Sequence, residues 1–114
     1  MIITFLSDYG LTDVFVGVCH GVIARVCPPA RVIDISHGVP RGNVRAGALM
    51  LRGALEYVPV AVHLAVVDPG VGGERRAVAV RTADGRQFVG HLISQARTAS
   101  KRRTASRGSP SWRK

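Results

Sequence analysis

Three short apolar runs, rich in β-branched residues, alternate along this chain with two longer segments of helical periodicity. The runs cover residues 2–6, 31–35 and 60–67, and turn-forming residues bound each of them, as is typical of strands. The order strand, helix, strand, helix, strand predicts parallel strands joined by right-handed crossovers. Two further runs, 76–82 and 87–89, flank an Asp-Gly turn signal and predict a hairpin. The sequence therefore predicts an α/β fold with a mostly parallel sheet.

Both predicted helices have recognisable start signals. Thr12 or Asp13 can cap the first helix, which we expect to end near Cys27, just before two prolines. Its valines recur every four residues, and Gly17 and Gly21 leave one face bare, which suggests close packing against the sheet. The second predicted helix spans residues 44–57 behind the N-cap Asn43, and its inward face comprises Ala48, Leu51 and Leu55.

Polar side chains follow each of the three parallel strands. Asp8 follows the first, Ser36 and His37 follow the second, and Asp68 follows the third. Ligands of open parallel sheets bind beyond the carboxyl ends of the strands, so these groups are candidates for one shared site. Strand ends are also polar because they meet water, so a purely structural explanation stays open.

The loop after Asp68 combines Pro69 with three glycines and ends in Glu74-Arg75-Arg76. Pro69 fixes φ, and the glycines permit positive φ and close backbone approach. Asp68 and Arg75 across such a loop suit a small-molecule site, whereas a solvated ion pair on a hairpin loop is the alternative. A dinucleotide-binding loop is disfavoured, because its glycines open a helix and these precede a strand.

Charge divides the chain at Gly90. The 114 residues carry a net charge of +9, yet residues 1–90 hold 9 Arg against 7 acidic residues, a net of +2. Residues 91–114 hold 5 Arg and 2 Lys without an acid, a net of +7, in a Ser/Arg-rich composition that predicts disorder. Such a tail could bind nucleic acid or another polyanion non-specifically.

Cysteine spacing and hydropathy bear on the compartment. Cys19 and Cys27 lie eight residues apart in one predicted helix, beyond disulfide reach, which predicts reduced core thiols of a cytoplasmic protein. No apolar run approaches the roughly 20 residues of a membrane span, and a basic signal-peptide region is lacking. His20 and His63 are expected to be packed side chains, and no metal site is predicted.

Three sequence blocks resemble the S-adenosylmethionine (SAM) hydrolase family, or SAM hydroxide adenosyltransferases, whose relatives include the SAM-dependent fluorinase and chlorinase. The blocks are Ser7-Asp8-Tyr9-Gly10 with Asp13, residues 32–37, and residues 66–72 followed by Glu74-Arg75-Arg76, while residues 88–90 begin a fourth match. The resemblance covers residues 1–90 and nothing beyond.

The resemblance implies attack of water or hydroxide on the 5′ carbon of SAM, giving adenosine and methionine without a cofactor. Asp68 would orient or deprotonate the water with help from Arg75, and Asp8 would hold the ribose hydroxyls with Asp13 close by. Ser36 and His37 are the further candidate substrate contacts. Halide-using relatives lack this Asp–Arg pair, so the pair favours the hydroxide branch.

The sequence departs from the family pattern after Gly90. The family continues with a Pro-Asp-Asn-Gly segment, a histidine that joins the Asp and Arg, and a smaller β-rich domain that completes a neighbour's site in a trimer. We therefore expect a partial three-layer α/β/α domain over residues 1–90 without the β-rich domain, and a basic tail over 91–114 from a truncated or frameshifted gene. Such a chain would be weakly active or inactive, poorly soluble or self-associating; the alternative is a non-catalytic remnant whose tail binds polyanions.

Overall fold

A five-stranded sheet and two helices make up the computed structural model, which describes residues 1–69 and 77–90. In chain order the elements are β1 (Ile2–Ser7), α1 (Phe15–Val26), β2 (Arg31–Ser36), α2 (Val44–Leu55), β3 (Val62–Val66), β4 (Val78–Arg81) and β5 (Gln87–Gly90). The strand order is β2-β1-β3-β5-β4, parallel throughout except for the β4–β5 pair. The predicted α/β fold with a mostly parallel sheet is confirmed. The glycine loop, Arg75 and the basic tail lie outside the described residues.

The hairpin places its second strand, β5, next to β3. Strand β5 runs parallel to β3, from Val62 paired with Gln87 to Ala65 paired with Gly90, so β4 lies at the sheet edge. At the Gly90 position the strands approach so closely that a Cβ would lie 1.7 Å from the carbonyl oxygen of Ala65. Only glycine fits there, because no side chain can share that space.

The main core lies between α2 and one face of the sheet. Its buried members are Leu6, Val39, Val44, Leu51, Ala65 and Val67. Asn43 caps α2 as predicted, because its Oδ1 accepts a hydrogen bond from the N–H of Ala46 at 3.0 Å. Leu51 faces inward and Leu55 packs against the core, but Ala48 is exposed. The inward stripe runs through Val44, Gly47 and Leu51, so the inward assignment of Ala48 was wrong.

Helix α1 leaves most of its valine stripe in solvent. Val14, Val18, Val22 and Val26 are between 53% and 80% exposed, whereas Val16 is buried. No atom lies within 4 Å of a Cβ placed at Gly17 or Gly21, so the close packing expected at these glycines was wrong. The valines repeat with helical spacing, but the stripe that faces the sheet is a different one.

Cys19 and Cys27 are free thiols and are half-buried, rather than fully buried as core residues would be.

Helices α1 and α2 contain 12 residues each, which at 1.5 Å per residue gives a length of about 18 Å. Within the described ranges, no helix has the length and apolar character to cross a bilayer.

Candidate active site

Asp8 lies at the carboxyl edge of the sheet, where three segments of the chain meet. Its Oδ2 accepts hydrogen bonds from the backbone N–H of Gly42 at 2.8 Å and of Asp68 at 3.3 Å. Its own N–H donates to the carbonyl of Val66 at 3.2 Å. The end of β1, the loop before α2 and the end of β3 are therefore joined at one carboxylate, and Asp8 and Asp68 share one edge of the sheet.

The backbone at Gly42 makes this junction possible. Gly42 has φ of +73°, and a Cβ there would lie 3.1 Å from the carbonyl oxygen of Asp68. Residues with a Cβ rarely adopt this left-handed conformation. Glycine lets the loop before α2 pass close to Asp68 and point its N–H at Asp8. Sequence reasoning did not single out Gly42.

The two oxygens of the Asp8 carboxylate have different surroundings. Oδ2 receives two backbone N–H bonds, while Oδ1 receives no hydrogen bond from the part of the chain that the structure describes. A carboxylate oxygen has two lone pairs, so Oδ1 can accept two donors such as neighbouring hydroxyls. Among residues 1–69 and 77–90, Asp8 is a fixed acceptor whose Oδ1 has no protein donor.

Tyr9 adds an aromatic ring to this edge. Its ring centroid lies 5.9 Å from that of Phe15 and 6.5 Å from that of Phe5. Burial raises the pKa of the Tyr9 phenol, and the negative charges of the Cys19 thiolate and of the Asp8 and Asp68 carboxylates raise it further. The phenol therefore stays protonated and can donate a hydrogen bond. The sequence signal that could have found Tyr9 was its position directly after Asp8.

His37 is buried and uses both ring nitrogens within the protein. Nδ1 lies 2.5 Å from Ser7 Oγ, and Nε2 lies 2.7 Å from Asp34 Oδ1. Asp34 also contacts Nε2 of His20 at 3.0 Å. Burial acts to raise the pKa of Asp34, but hydrogen bonds from His37 and then from His20 outweigh it, so the pKa lies below its ordinary value.

The remaining candidate residues have local roles. Ser36 Oγ accepts the N–H of Gly38 at 3.0 Å, and Asp13 Oδ1 accepts the N–H of Phe15 at 3.0 Å at the start of α1. Asp13 is exposed, and among described residues its carboxylate bonds only to that amide. In residues 1–69 and 77–90, no three His, Cys, Asp or Glu side chains are arranged to hold a metal ion.

Comparisons with known proteins match the N-terminal part of the chain. A family model described as the SAM hydroxide adenosyltransferase N-terminal domain matches residues 3–91. The chain is 60% identical over 83 residues to a protein of Salinispora tropica named (R)-S-adenosyl-L-methionine hydrolase, covering 73% of this chain and 32% of the relative. A protein of that name from Methanocaldococcus jannaschii is 39% identical over 93 residues, covering 78% and 35%. A Nocardia brasiliensis protein named fluorinase is 35% identical over 83 residues, covering 72% and 28%.

Solved structures also match most of the chain. An uncharacterized conserved protein from Thermotoga maritima aligns with a TM-score of 0.72 and 39% identity, covering 85% of this chain and 39% of that one. A conserved hypothetical protein from Thermus thermophilus aligns with a TM-score of 0.70 and 42% identity, covering 85% and 42%. The chain spans about a third of the length of the named relatives it matches. Because the family model covers well over half of its residues, the chain belongs to the SAM hydroxide adenosyltransferase family through its N-terminal domain.

Proposed function

We propose that the chain is the N-terminal part of a SAM hydrolase, which converts SAM and water into adenosine and methionine. Asp8 and Asp68 on one sheet edge carry this proposal, because Asp68 donates its N–H to Asp8. The 60% identity to a protein named as a SAM hydrolase, against 35% to one named as a fluorinase, supports hydroxide rather than halide chemistry.

In the proposed reaction, Asp8 holds the ribose through Oδ1 while its Oδ2 stays bound to the protein backbone. Asp68, with Arg75, orients a water molecule towards C5′ and takes up its proton as the C5′–O bond forms. The C5′–S bond breaks, its electron pair returns to sulfur, and methionine leaves as a neutral thioether. The sulfonium is already a good leaving group, so in-line positioning of the water supplies much of the catalysis.

We also propose that the two thirds of the relatives' length that these 114 residues do not match supplies further parts of the site, so turnover by the 114 residues alone is weak or absent. In the family pattern a neighbouring subunit completes each site of a trimer, and we expect self-association here. The apolar side chains that α1 exposes support that expectation. We propose that Asp13 and Ser36 lie near the bound substrate. We also propose that the protein is cytoplasmic.

The test uses the full chain, with SAM and adenosine binding measured by calorimetry and adenosine release measured by chromatography. Asp8→Asn should weaken binding of both ligands by ~10-fold or more, because a charge-assisted hydrogen bond contributes about 1.5–3 kcal/mol. Asp68→Asn should leave adenosine binding intact and remove any turnover. Glu56→Gln, an exposed change at the far end of α2, is the matched control. Wild-type protein that binds neither ligand, or turnover that survives Asp68→Asn, would contradict the proposal.

A second candidate function is polyanion binding by residues 91–114, which carry seven cationic side chains and no acid. Such binding would be non-specific, with a Kd of about 10⁻⁴ to 10⁻⁶ M, and would weaken steeply with salt. RNA binding that is lost on deleting residues 91–114, without loss of adenosine binding, would separate this function from the first. RNA binding that survives the deletion would rule it out.

A further inference from the structure

Ser7, His37 and Asp34 form a hydrogen-bonded relay directly beneath the Asp8 turn. Ser7 Oγ lies 2.5 Å from His37 Nδ1, and His37 Nε2 lies 2.7 Å from Asp34 Oδ1. Ser7 is 0% exposed and His37 is 5% exposed. The backbone N–H of Tyr9 donates to Ser7 Oγ at 3.2 Å, which extends the relay into the turn.

The donors and acceptors of the relay fix the tautomer of His37. Asp34 is ionised and can only accept, so His37 Nε2 carries the hydrogen and donates it. In a neutral ring Nδ1 is then the acceptor, so the Ser7 hydroxyl, whose oxygen accepts the N–H of Tyr9, donates its hydrogen to Nδ1. The Nε2–H tautomer satisfies both partners of the ring and leaves no ring nitrogen available to a substrate.

A hydroxyl, an imidazole and a carboxylate in series also occur in serine hydrolases, but the relay is not built for that chemistry. The nucleophile of a hydrolase must reach its substrate, and Ser7 is completely buried. Its hydroxyl oxygen accepts a bond from the turn above it. The relay therefore acts on the turn and not on a substrate.

His37 holds both ends of the turn that carries Asp8. Its ring binds Ser7 before the turn, and its backbone carbonyl accepts the N–H of Gly10 after the turn at 2.8 Å. The ring also packs edge-on against Phe5, with centroids 4.6 Å apart. The one residue between Ser7 and Tyr9 is Asp8, so its direction depends on this frame.

We propose that His37 is a positioning residue: as the Nε2–H tautomer it locks the Ser7–Gly10 turn and thereby aims the Asp8 carboxylate at Gly42, Asp68 and the ribose of the ligand. The role replaces the direct substrate contact expected for His37 from the sequence. Its ligand-binding part rests on the proposed function, whereas the tautomer and the aim of Asp8 can be measured without any ligand.

The ligand-free test is NMR of the full chain. Long-range ¹H–¹⁵N spectra should show His37 protonated at Nε2 only. Asp34→Ala should abolish that preference and Asp34→Asn should restore it, since an amide oxygen can still accept from Nε2. Amide exchange at Gly42 should be at least ~10-fold faster in Ser7→Ala, because the Gly42 N–H relies on a well-aimed Asp8. His37 protonated at Nδ1, or Gly42 exchange unchanged in Ser7→Ala, would overturn the inference.

The chain offers a matched control on the same strand. Thr4 Oγ1 makes an equally buried bond to a ring nitrogen of His63 at 2.7 Å, four residues and about 13 Å from Asp8. Thr4→Val should lower the unfolding midpoint about as much as Ser7→Ala, but only Ser7→Ala should speed Gly42 exchange and weaken adenosine binding, by about 10-fold. If Thr4→Val and Ser7→Ala sped amide exchange at Gly42 equally, His37 would only stabilise the fold in general, and the positioning role would be refuted. Faster Gly42 exchange without adenosine binding by the wild type would sustain it and reject the proposed function instead.

Discussion

Acid should destabilise this protein through His63, a fully buried imidazole in the middle of the sheet. Arg86 Nη1 lies 3.0 Å from His63 Nε2 and can only donate, so Nε2 must be the unprotonated nitrogen. Nδ1 carries the hydrogen and donates it to Thr4 Oγ1 at 2.7 Å. Burial lowers the pKa of His63, and the Arg86 charge lowers it further, against a weaker opposing effect of Asp84.

The size of the effect follows from proton linkage. The ordinary pKa of the imidazole, 6.5, applies to the unfolded chain, while folded His63 stays neutral to lower pH. Its contribution is fully present above that pKa and is lost as pH falls, because the unfolded state then binds the extra proton. At about pH 5.5 the unfolded imidazole is ten to one protonated, so the loss reaches up to RT ln 11, about 1.4 kcal/mol.

Urea unfolding at pH 7.5 and pH 5.5 measures this loss. His63→Gln keeps a hydrogen-bonding side chain but cannot titrate, so its free energy of unfolding should fall less than that of the wild type over the interval, by up to about 1.4 kcal/mol. His20→Gln is the control, because it also removes one imidazole but a partly exposed one, 36% accessible beside Asp34. A His63→Gln variant with the wild-type pH dependence would refute the reasoning.

Four further predictions concern the fold. Gly90→Ala should prevent β5 from pairing with β3, and circular dichroism should show loss of the cooperative unfolding transition, whereas a native-like transition would contradict the 1.7 Å approach. Gly42→Ala should lower the free energy of unfolding by about 1–2 kcal/mol, because alanine is strained at φ of +73°. Chemical denaturation would measure this loss, and Gly53→Ala is the control because a Cβ at Gly53 meets open space. Asn43→Ala should cost about 1 kcal/mol in the same assay through the lost cap of α2, and an unchanged midpoint would disprove the cap. Leu51→Ala should lower the free energy of unfolding by about 2–5 kcal/mol, since the Leu51 side chain fills the core under α2. A loss under about 1 kcal/mol would contradict the burial of Leu51 in that core.

Local signals predicted the body of the fold well. The β-branched runs and the Asp-Gly turn gave the strands, and Asn43 marked the start of α2. Helical periodicity did not predict which face of each helix is buried. The valines of α1 are exposed to solvent, and Ala48 lies one position away from the buried stripe of α2. A repeat of apolar residues at helical spacing predicts that a helix has an apolar stripe, but which stripe is buried depends on the element that packs against the helix.

The candidate site shows a similar division. The rule that parallel strands end at one edge predicted that Asp8 and Asp68 lie together, and the structure places them in hydrogen-bond contact. The fixing of Asp8 by Gly42 could not be read from the sequence, because it depends on a contact 34 residues apart. The burial of His37 could not be predicted from the sequence either, because a histidine at a strand end gives the same sequence pattern whether its ring contacts a ligand or Ser7. The role of Arg75 remains a prediction.

The position of β5 sets the order in which the sheet can be assembled during synthesis. Strand β4 emerges before β5 but has β5 as its only neighbour among the described strands, so it must wait for residues that follow it. Until Gly90 has been made, β3 presents a bare edge beside Asp68, and nascent chains can pair there with one another. A pause in synthesis that leaves β3 outside the ribosome before β5 has emerged would therefore favour intermolecular strand pairing over native closure of the sheet.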